Sequence, residues 1–401
     1  MRFRGSMLAV CLALTAPAMG AEWTGLGDGT SWNDGDNWAS GFPPLTSEYV
    51  EIATGNPVHS GDLLRAADTL VTGAGNLTVN GRFRNGDGGP ATFTFSSNGT
   101  LTVNGNYFMA GRTAPSTFHQ TSGTVNVNLD RGFFVSDGSG ATGSTLRLSG
   151  GTMYVNMYGD YNELHNVRIG KEGDPTKKDL FLIDGGTFIV ENNKDGNGRR
   201  FYIEGNARFQ VDSGSATISN FQYLIVGRKD GSDQVAEMII NGGSVSASLT
   251  ALVVGGFNDG LLEVNGGSLT LTAGDLWIAD SHPNRKGDVI QIGGIIDIAG
   301  NVVVGREVNA IGSYTMSGGQ LIASNIVLGN GIGTFNFNGG QIILDGDRTD
   351  ILNEIWFNAV AGTFATYNAQ TNTTLIAVPE PASLALVGLG GLMMLRRRTV
   401  S

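Results

Sequence analysis

Cysteine is almost absent from this chain of 401 residues, since Cys11 is the only one. It lies inside the apolar run from Met7 to Ala16, and the large Val10 before it does not suit a lipid attachment site. Once that run has been cleaved away as part of a signal peptide, the chain holds no thiol. Disulfides and cysteine-ligated metal sites are then excluded, and stability must come from packing and backbone pairing.

Motifs of catalysis and of nucleotide binding are also missing. Four histidines stand far apart in the sequence: His59, His119, His165 and His282. None has the paired spacing of a zinc site. The sequence contains neither the G-x-S-x-G turn of a serine nucleophile nor the G-x-x-x-x-G-K-[ST] loop that cradles phosphates. Hydrolase and nucleotide-binding functions therefore lose their usual support, and we expect no metal ion and no cofactor.

Basic residues are fewer than acidic ones. The chain has 25 lysines and arginines against 36 aspartates and glutamates, which gives a formal net charge of −11. Without the two terminal segments, residues 21–378 keep 20 bases and 35 acids, a formal charge of −15. Such acidity disfavours nucleic-acid binding, keeps an exported protein soluble and attracts divalent cations.

The N-terminal segment has the order of a signal peptide. Two positive charges, Arg2 and Arg4, precede the apolar run, and small residues follow it up to Gly20. The run is about ten residues long, which is too short to cross a hydrocarbon core of roughly 30 Å. We therefore expect residues 1–20 to be a signal peptide that is cleaved after Gly20.

The C-terminal segment has the order of a short anchor. It contains a Pro-Glu-Pro motif, an apolar stretch and an arginine cluster: Pro379, Glu380 and Pro381; Ala382–Leu395; Arg396, Arg397 and Arg398. Fourteen apolar residues span only about 21 Å as a helix, so the stretch is a marginal transmembrane segment. The arginines should stop transfer and remain cytoplasmic.

This tail resembles the PEP-CTERM sorting signal of Gram-negative bacteria that make extracellular polysaccharide. The resemblance covers residues 379–401 and depends on the Pro-Glu-Pro motif, the Gly-containing apolar stretch and the terminal arginines. It implies that a membrane-embedded exosortase recognises the tail, cuts near the motif and passes the protein to the cell surface or matrix. The same tail is also called an ice-binding protein C-terminal domain, which describes some carriers and not the chemistry of the tail.

Glycine is abundant and periodic between the two ends. The chain has 62 glycines, and the motif of residues 77–81, Leu-Thr-Val-Asn-Gly, recurs at residues 101–105. Gly-Gly turns follow short strands at regular positions: Gly150, Gly185, Gly242, Gly266, Gly293, Gly318 and Gly339. A second signal is a short apolar run closed by glycine or alanine, as in residues 253–255 and 277–279. The repeat of 21 to 35 residues therefore predicts at least two strands per unit.

The repeat favours an all-β fold, a right-handed parallel β-helix or solenoid of about eleven coils, over a meander of antiparallel hairpins. We expect the repeats to occupy residues 72–346 and to share one inner apolar ladder: Phe188, Ile218, Val245, Leu269, Ile296, Leu321 and Ile342. Eleven coils would form a rod about 50 Å long. Residues 347–378 should form a C-terminal cap and linker, with Asp350 to Phe357 covering the last coil.

Residues 21–71 contain three tryptophans and no regular repeat. Trp23, Trp32 and Trp38 stand near glycines and before Pro43-Pro44, and this pattern resembles the opening segment of secreted autotransporter-like β-helix proteins. The resemblance implies an N-terminal cap over the open end of the solenoid, which needs covering. The alternative is a platform on which the tryptophans stack against sugars.

Two ligand hypotheses concern the charged residues. Acidic turns at residues 33–36 and 85–89 offer several oxygens to calcium, although neither has the EF-hand spacing. A polysaccharide lyase or glycosidase would need charged residues for catalysis. In this chain the charges concentrate between Met157 and Glu237. The bases there include Arg168, Lys171, Lys177, Lys178, Arg199, Arg200, Arg228 and Lys229. Solvated turns and loops are the simpler interpretation of the acidic turns and of the charged stretch. If the chain has a ligand site, the stretch from Met157 to Glu237 is where we expect it.

A third hypothesis is ice binding by outward rows of hydroxyl groups. The rows comprise Ser215, Thr217 and Ser219, then Ser244, Ser246 and Ser248, then Ser268, Thr270 and Thr272. Because the next units place Ile295 and Asp297 in these columns, the regular array is expected to end after three coils. Ordinary solvent-facing strand residues are therefore the better explanation of the rows.

These observations predict a non-enzymatic protein, structural or adhesive, of the cell surface or exopolysaccharide matrix. Its expected partners are signal peptidase, an exosortase-type membrane enzyme and exopolysaccharide, with no nucleic acid. The alternatives are a polysaccharide-binding or polysaccharide-degrading β-helix and an ice-binding protein.

Overall fold

The computed structural model describes residues 20–159, 166–171, 174, 176–194, 198–228, 234–280 and 284–378. The predicted sorting motif Pro379–Pro381, the arginines Arg396–Arg398 and residues 1–19 of the predicted signal peptide lie outside the described residues. Within the described ranges, no helix is long and apolar enough to cross a membrane.

The regular secondary structure of the described chain is almost entirely β-strand. Its first strands are short: β1 (Ala21–Glu22), β2 (Val50–Ile52), β3 (Val58–His59), β4 (Leu63–Arg65), β5 (Thr69–Val71), β6 (Leu77–Val79), β7 (Phe83–Asn85) and β8 (Thr92–Phe95). The next are longer on average: β9 (Thr100–Gly111), β10 (Thr117–Gln120), β11 (Thr124–Ser136), β12 (Thr145–Leu148), β13 (Thr152–Met157), β14 (Val167–Ile169), β15 (Asp179–Asn192) and β16 (Arg200–Ile203).

The second half continues in the same way. Its strands are β17 (Ala207–Ser219), β18 (Tyr223–Val226), β19 (Ala236–Ile240), β20 (Ser244–Val254), β21 (Gly260–Val264), β22 (Ser268–Ile278), β23 (Lys286–Gln291), β24 (Ile295–Val304), β25 (Ile311–Met316), β26 (Gln320–Leu328), β27 (Ile332–Phe337), β28 (Gln341–Asp345), β29 (Phe357–Ala359), β30 (Phe364–Asn368) and β31 (Thr373–Ala377). Helical structure in the described chain is limited to three short 3-10 helices: Gly35–Asn37, Ser139–Ala141 and Thr349–Asn353.

The strands wind into a parallel β-solenoid of about 13 turns. In three ladders, each strand pairs in parallel with its equivalents in the neighbouring turns. The first ladder is β1-β2-β5-β8-β10-β12-β15-β17-β19-β21-β23-β25-β27-β29. The second is β3-β6-β9-β11-β13-β15-β17-β20-β22-β24-β26-β28. The third is β4-β7-β9-β11-β14-β16-β18-β20-β22-β24-β26.

The longest strands turn a corner of the solenoid and serve two ladders. β9, β11, β20, β22, β24 and β26 pass from the second ladder to the third, whereas β15 and β17 pass from the first to the second. Their pairing registers shift at these corners, for example between Leu129 and Gly132. Such an irregularity bends the strand without ending it.

The core is one apolar column inside the solenoid. Because successive strand side chains point to opposite faces, alternate residues of every ladder are buried. Phe83, Phe108 and Phe133 stack coil upon coil, with ring centroids 4.7 and 5.0 Å apart. Phe118 packs edge-on against Phe108 at 5.2 Å. Each ring therefore buries surface that a single coil could not cover.

The predicted inner ladder is correct except at one rung. Val245 pairs with Leu269 and continues through the later residues of the predicted ladder. On the other side, however, Phe188 and Val245 both pair with Ala216, while Ile218 pairs with Val190. The prediction of Ile218 was therefore wrong by two residues. The side chains of Ala216 and Ile218 both point inward and are buried, so the apolar pattern does not distinguish the two registers.

The solenoid also begins earlier than the repeat indicates. About eleven coils were expected after residue 71, whereas β1, β2 and β5 already pair in parallel within residues 21–71. These strands contain only two or three residues. Such short segments carry too little alternation to reveal a period. The parallel ladders therefore extend through much of the segment that was expected to be only a cap.

The three N-terminal tryptophans are buried together. Trp23 and Trp38 pack edge to face with ring centroids 5.1 Å apart, and Trp32 lies 4.8 Å from Trp38. The indole nitrogen of Trp38 donates to the carbonyl of Trp32 at 2.7 Å. Each ring is at most 4% exposed. A sugar-stacking platform at these residues is therefore excluded because their faces are covered, and the cap stays the prediction for this segment.

An antiparallel hairpin closes the other end. β31 pairs antiparallel with β28, and β30 pairs antiparallel with β31. Residues Asp350 to Phe357, which were predicted to cap the last coil, contain most of the 3-10 helix Thr349–Asn353. Ile351 of this helix is buried and packs into the core with Phe357. The change from parallel to antiparallel pairing ends the ladder, because another coil can no longer add in register.

Glycine turns stack between neighbouring coils. Gly243, Gly267, Gly294 and Gly319 each have φ between 64° and 76°, a backbone conformation that L side chains rarely adopt. A Cβ on Gly267 would meet the carbonyl oxygen of Gly243 in the preceding coil. The regular Gly-Gly pairs of the sequence therefore arise from both backbone conformation and the close spacing of coils.

Alanine at Gly267 should lower the free energy of unfolding by about 2 kcal/mol, because it combines a left-handed backbone with a clash against the adjacent coil. Urea unfolding followed by circular dichroism measures the change. Gly61→Ala is the matched control, since nothing lies within 4 Å of a Cβ there. Equal unfolding midpoints for the two variants would contradict the assignment.

Candidate functional site

One outer face of the solenoid differs from the others in its side chains. The middle residues of the third-ladder strands point outward and pair coil to coil: Arg84, Met109, Phe134, Arg168, Tyr202, Ile225, Val253 and Trp277. Outward positions of a solvated strand are ordinarily polar, whereas six of these eight are apolar or aromatic. We call this column, together with the side chains that line its two clefts or stack on it, the cation–aromatic face.

The first, the basic cleft, has a volume of about 240 Å³. Five cations line it: Arg82, Arg84, Arg112, Arg168 and Lys171. The rest of the lining is Tyr107, Met109, Phe134 and one carboxylate, Asp137. Register places Tyr107 and Phe134 on the adjacent strands β9 and β11, between the arginines of β7 and β14.

Asp137 is the central anion of this cleft. Its carboxylate lies 2.7 Å from Arg168 Nη2, 3.3 Å from Arg112 Nη1 and 3.9 Å from Lys171 Nζ. Three cations from two coils, Arg112 on one and Arg168 with Lys171 on another, therefore share one carboxylate. Burial, together with the neighbouring Arg168 guanidinium, lowers the pKa of Lys171. The cleft thus concentrates positive charge on a chain that is acidic as a whole.

The opposite wall of the basic cleft is formed by the first two arginines. Arg84 Nη1 lies 3.3 Å from Asp87, and Asp62 lies 3.8 Å from Arg84 Nη2 and 3.5 Å from Arg82 Nε. Arg82 is 39% exposed, so its remaining N–H groups reach solvent. With these two acids included, the five cations still outnumber the carboxylates of the cleft.

Aromatic rings hold several of the guanidinium groups in place. Arg168 lies over the Phe134 ring, 4.5 Å from its centroid, and Arg131 lies 5.7 Å from the Tyr107 centroid. Arg131 also donates to the Tyr107 hydroxyl at 3.4 Å. Stacking of this kind fixes the plane of a guanidinium while its edge remains available for hydrogen bonds.

The second cleft lies further along the same face and has a volume of about 170 Å³. We call it the tryptophan cleft, and its lining is Arg200, Tyr223, Ile225, Val253, Phe257, Trp277, Asp280 and Arg306. Arg306 stacks on Trp277 with its guanidinium carbon 3.6 Å from the ring centroid, and it pairs with Asp280. The indole nitrogen of Trp277 donates to Asp275 at 3.2 Å. Two cations and one carboxylate line this cleft, which is therefore more nearly neutral.

Glu204 extends the ion-pair network of the basic cleft. It is 3% exposed, and its Oε1 lies 3.1 Å from Arg228 Nη1 and 3.8 Å from Arg168 Nε. Arg228 in turn stacks over Tyr202 at 4.1 Å. The chain of ion pairs and stacked rings therefore continues from the basic cleft toward the tryptophan cleft.

The basic residues between Met157 and Glu237, among which a ligand site was first expected, lie in several parts of the structure. Arg168, Lys171, Arg200 and Arg228 all lie on the cation–aromatic face. Arg199 is buried and donates to the carbonyls of three residues: Asp130, Arg131 and Gly159. Elsewhere, Lys178 pairs with Glu237 and Lys177 with Asp174, while Lys229 lies outside the described residues.

Several residues of the face were missed because they lie outside that stretch. They are Arg82, Arg84, Tyr107, Arg112, Phe134, Trp277 and Arg306. A usable signal was the short run before the closing glycine or alanine, as at residues 253–255 and 277–279. These runs are apolar at consecutive positions, which indicates that the outward face also carries apolar groups.

The calcium turns and the described histidines have structural partners. Asp34 accepts backbone N–H groups from Asp36 and Asp28 at 3.1 and 3.0 Å, and Asn85 donates to the Ala91 carbonyl at 3.1 Å. His119 contacts the Ser149 hydroxyl at 2.5 Å. In the described part of the chain, no three His, Cys, Asp or Glu residues are grouped to hold a metal ion.

The hydroxyl rows lie on the second ladder, on a different face. One column extends over seven coils and not three: Thr100, Thr124, Thr152, Thr187, Ser215, Ser244 and Ser268. The neighbouring column has Thr217, Ser246 and Thr270 but is interrupted by Tyr154 and Ile189. The paired array is therefore short, while the single column is longer than the sequence indicated.

Asparagine side chains form a further ladder beside these rows. Amide groups donate from coil to coil through Asn80, Asn104, Asn128, Asn156 and Asn193, over 2.7 to 3.3 Å. Stacked amides of this kind stabilise parallel in-register strands. This face therefore has a structural role that explains its composition.

Comparisons of the chain with protein-family models, with curated proteins and with solved structures give no match. The two clefts and their position on the rod are therefore the observations on which a functional proposal depends.

Proposed function

We propose that this chain is an exported, non-enzymatic protein of the bacterial cell surface or exopolysaccharide matrix, with a structural or adhesive role. The observation that carries the proposal is the cation–aromatic face, which lies along one side of an acidic rod that is capped at both ends. A long linear face suits attachment to an extended polymer better than it suits a small substrate.

The capped ends support a role as a discrete building unit. Exposed strand edges pair with other chains and lead to aggregation. Here the buried tryptophans cover one end, and the β30–β31 hairpin ends the parallel ladder at the other. We expect the coils to wind right-handedly, as nearly all parallel crossover connections do. The rod can therefore stay soluble outside the cell while it presents its long faces.

Export and sorting follow from the terminal segments. In this proposal residues 1–20 are removed by signal peptidase, and Arg396–Arg398 hold the tail in the membrane. An exosortase-type enzyme then cuts near Pro379-Glu380-Pro381 and releases the rod to the surface. The resemblance of residues 379–401 to a PEP-CTERM signal supports this route.

The ion pairs of the clefts support binding without turnover. Asp137, Glu204 and Asp280 are each held by arginine side chains. A glycosidase needs one carboxylic acid that donates a proton and a second carboxylate that acts on the sugar. Carboxylates locked between guanidinium groups instead serve to position those cations.

Incubating the purified chain with acidic and neutral polysaccharides tests the non-enzymatic role. We expect retention of a polysaccharide with no release of unsaturated or reducing ends. Such release would overturn the proposal in favour of a lyase or a glycosidase. Inhibition of ice recrystallisation, with no polysaccharide retained, would instead favour the ice-binding alternative.

Deletion of residues 379–401 tests the sorting route in a bacterium that carries an exosortase. The truncated protein should appear in the medium, because it lacks both the anchor and the recognition motif. Glu380→Gln should slow processing, so that the uncut precursor accumulates in the membrane fraction. Unchanged surface attachment of the truncated protein would contradict the sorting function of the tail.

A further inference from the structure

We propose that the basic cleft binds the acidic groups of an anionic polysaccharide, carboxylated or sulfated, whose chain runs along the rod axis and over the tryptophan cleft. This inference depends on the proposed matrix function and deepens it by naming the class of ligand and the residues that hold it.

The first argument is the contrast in charge. The chain has a formal net charge of −11, yet the five cations that line the basic cleft outnumber its carboxylates, even with the adjoining Asp62, Asp87 and Glu204 counted beside Asp137. The net charge of the chain repels an acidic polymer, whereas the excess of cations in this cleft attracts it. Electrostatic complementarity of this kind selects orientation as well as partner.

The second argument is the number of hydrogen-bond donors. Arg112, Arg168 and Lys171 together carry roughly thirteen N–H donors, whereas the one carboxylate that they share, Asp137, offers about four acceptor sites. Arg112 is 34% exposed and Lys171 is 37% exposed, so part of this surplus faces solvent. Carboxylates and sulfates are the sugar substituents that satisfy such donors, and bidentate arginine contacts are the strongest of these bonds.

The third argument is preorganisation. Arg168 is stacked on Phe134, and Arg131 on Tyr107, on strands that are fixed by the parallel ladder. A side chain that is already ordered loses little conformational entropy when a ligand binds. The stacked guanidinium groups therefore bind an anion at a lower entropic cost than mobile surface arginines would.

The fourth argument is the direction of the face. From Arg84 to Trp277 the column crosses seven strand-to-strand steps, which is about 34 Å at the usual strand spacing. The spacing of strands is close to the length of one pyranose unit in an extended polysaccharide. A chain that runs along the axis can therefore place successive sugars over successive coils.

The tryptophan cleft fits the continuation of such a chain. Tyr223 and Trp277 lie 5.7 Å apart at a tilt of 45° and pack against Ile225 and Val253, which are only 4% and 2% exposed, so the two rings themselves offer the contact surface. Sugar rings bring apolar C–H faces and hydroxyl groups together, and amphipathic aromatic rings with nearby Arg200 and Asp280 match both. This cleft is expected to add affinity for the sugar backbone and to discriminate little by charge.

Affinity electrophoresis of the full chain tests the proposal, with polygalacturonate as the carboxylated probe, dextran sulfate as the sulfated probe and dextran as the uncharged probe. We expect retardation by one or both acidic polymers, and not by dextran, and a loss of retardation as salt rises. Preference between the two acidic probes identifies the substituent. Equal retardation by dextran, or stronger retardation by inorganic polyphosphate, would overturn the assignment.

The double variant Arg112→Gln/Lys171→Gln should weaken binding of the preferred polymer about tenfold or more, because it removes two charge-assisted contacts. The matched control is Arg147→Gln/Lys177→Gln, which makes the same charge change away from the cation–aromatic face, at side chains 44% and 55% exposed. Equal losses in the two double variants would show that overall charge, and not the cleft, determines binding.

Trp277→Ala tests the direction of the chain. It should weaken binding of a polymer of ten or more sugars several-fold and leave a trisaccharide of the same sugar unaffected, because the short ligand fills only the basic cleft. Equal loss for both lengths would overturn the axial arrangement. Cleft-dependent binding by a protein that remains inside the cell would support the ligand site while contradicting the matrix function, so the two failures are distinguishable.

Discussion

Replacing Phe108 with alanine should lower the free energy of unfolding by about 3 to 5 kcal/mol. The ring is fully buried between Phe83 and Phe133, in the stack that links three consecutive coils. Its removal loses transfer free energy and also leaves a cavity that the regular ladder cannot close, because each coil is held at a fixed spacing by backbone hydrogen bonds.

Urea unfolding of the purified chain, followed by circular dichroism, measures this loss. Phe42→Ala is the matched control, since Phe42 is 75% exposed and its truncation should change stability little. The effect of Phe108→Ala should extend to the neighbouring coils, since coils in a solenoid stabilise one another. Hydrogen exchange confined to a single coil would contradict that coupling.

Asparagine in place of Asp179 should stabilise the protein at neutral pH and remove a pH dependence. Burial raises the pKa of Asp179 from 3.8 to about 6, although backbone N–H groups of Ser144 and Gly143, each 2.9 Å away, oppose the shift. The shift corresponds to about 3 kcal/mol between the two protonation states. Asparagine keeps an oxygen for the same N–H groups and carries no charge.

The sign follows from where the proton is bound. Between pH 3.8 and about 6 the folded chain retains a proton on Asp179 that the unfolded chain has released. Its contribution to stability is therefore largest below pH 3.8 and is lost as the pH rises through about 6. The stability difference between Asp179→Asn and the native chain should grow over this interval and stay constant above it.

Asp347→Asn is a control of opposite sign. Hydrogen bonds from the backbone and side chain of Thr349 lower the pKa of the exposed Asp347, so its contribution is present near neutral pH and is lost in acid. Unfolding midpoints measured from pH 3.5 to 7.5 compare the three chains. Parallel curves for Asp179→Asn and the native chain would contradict the assignment to Asp179.

The repeat could be predicted from the sequence because each coil carries the same local requirements. Glycines such as Gly267 mark turns with positive φ, and alternating residues such as Leu269 mark the inward face. These local signals were enough for an all-β parallel solenoid. They were not enough for the rung at Ala216, since a shift of two residues preserves the alternation.

The caps illustrate a different limit. The absence of a repeat at residues 21–71 indicated a special role for the tryptophans, but not that β1 and β2 already belong to a parallel ladder. Strands of two or three residues take their geometry from the strand beside them. Burial of Trp23, Trp32 and Trp38 against one another likewise depends on contacts that the order of residues does not specify.

By itself, the sequence determined the fold class, the periodic turns and the acidic, thiol-free character of the rod. Only the tertiary structure brought Arg84, Phe134 and Arg168 onto one face, and it placed Trp277 on the same line four coils beyond Arg168. The physical reason is that lateral neighbours on this face are 23 to 34 residues apart in the chain. Coil length varies with each loop, so the register that groups these side chains is fixed by the backbone pairing of whole coils and not by any local pattern.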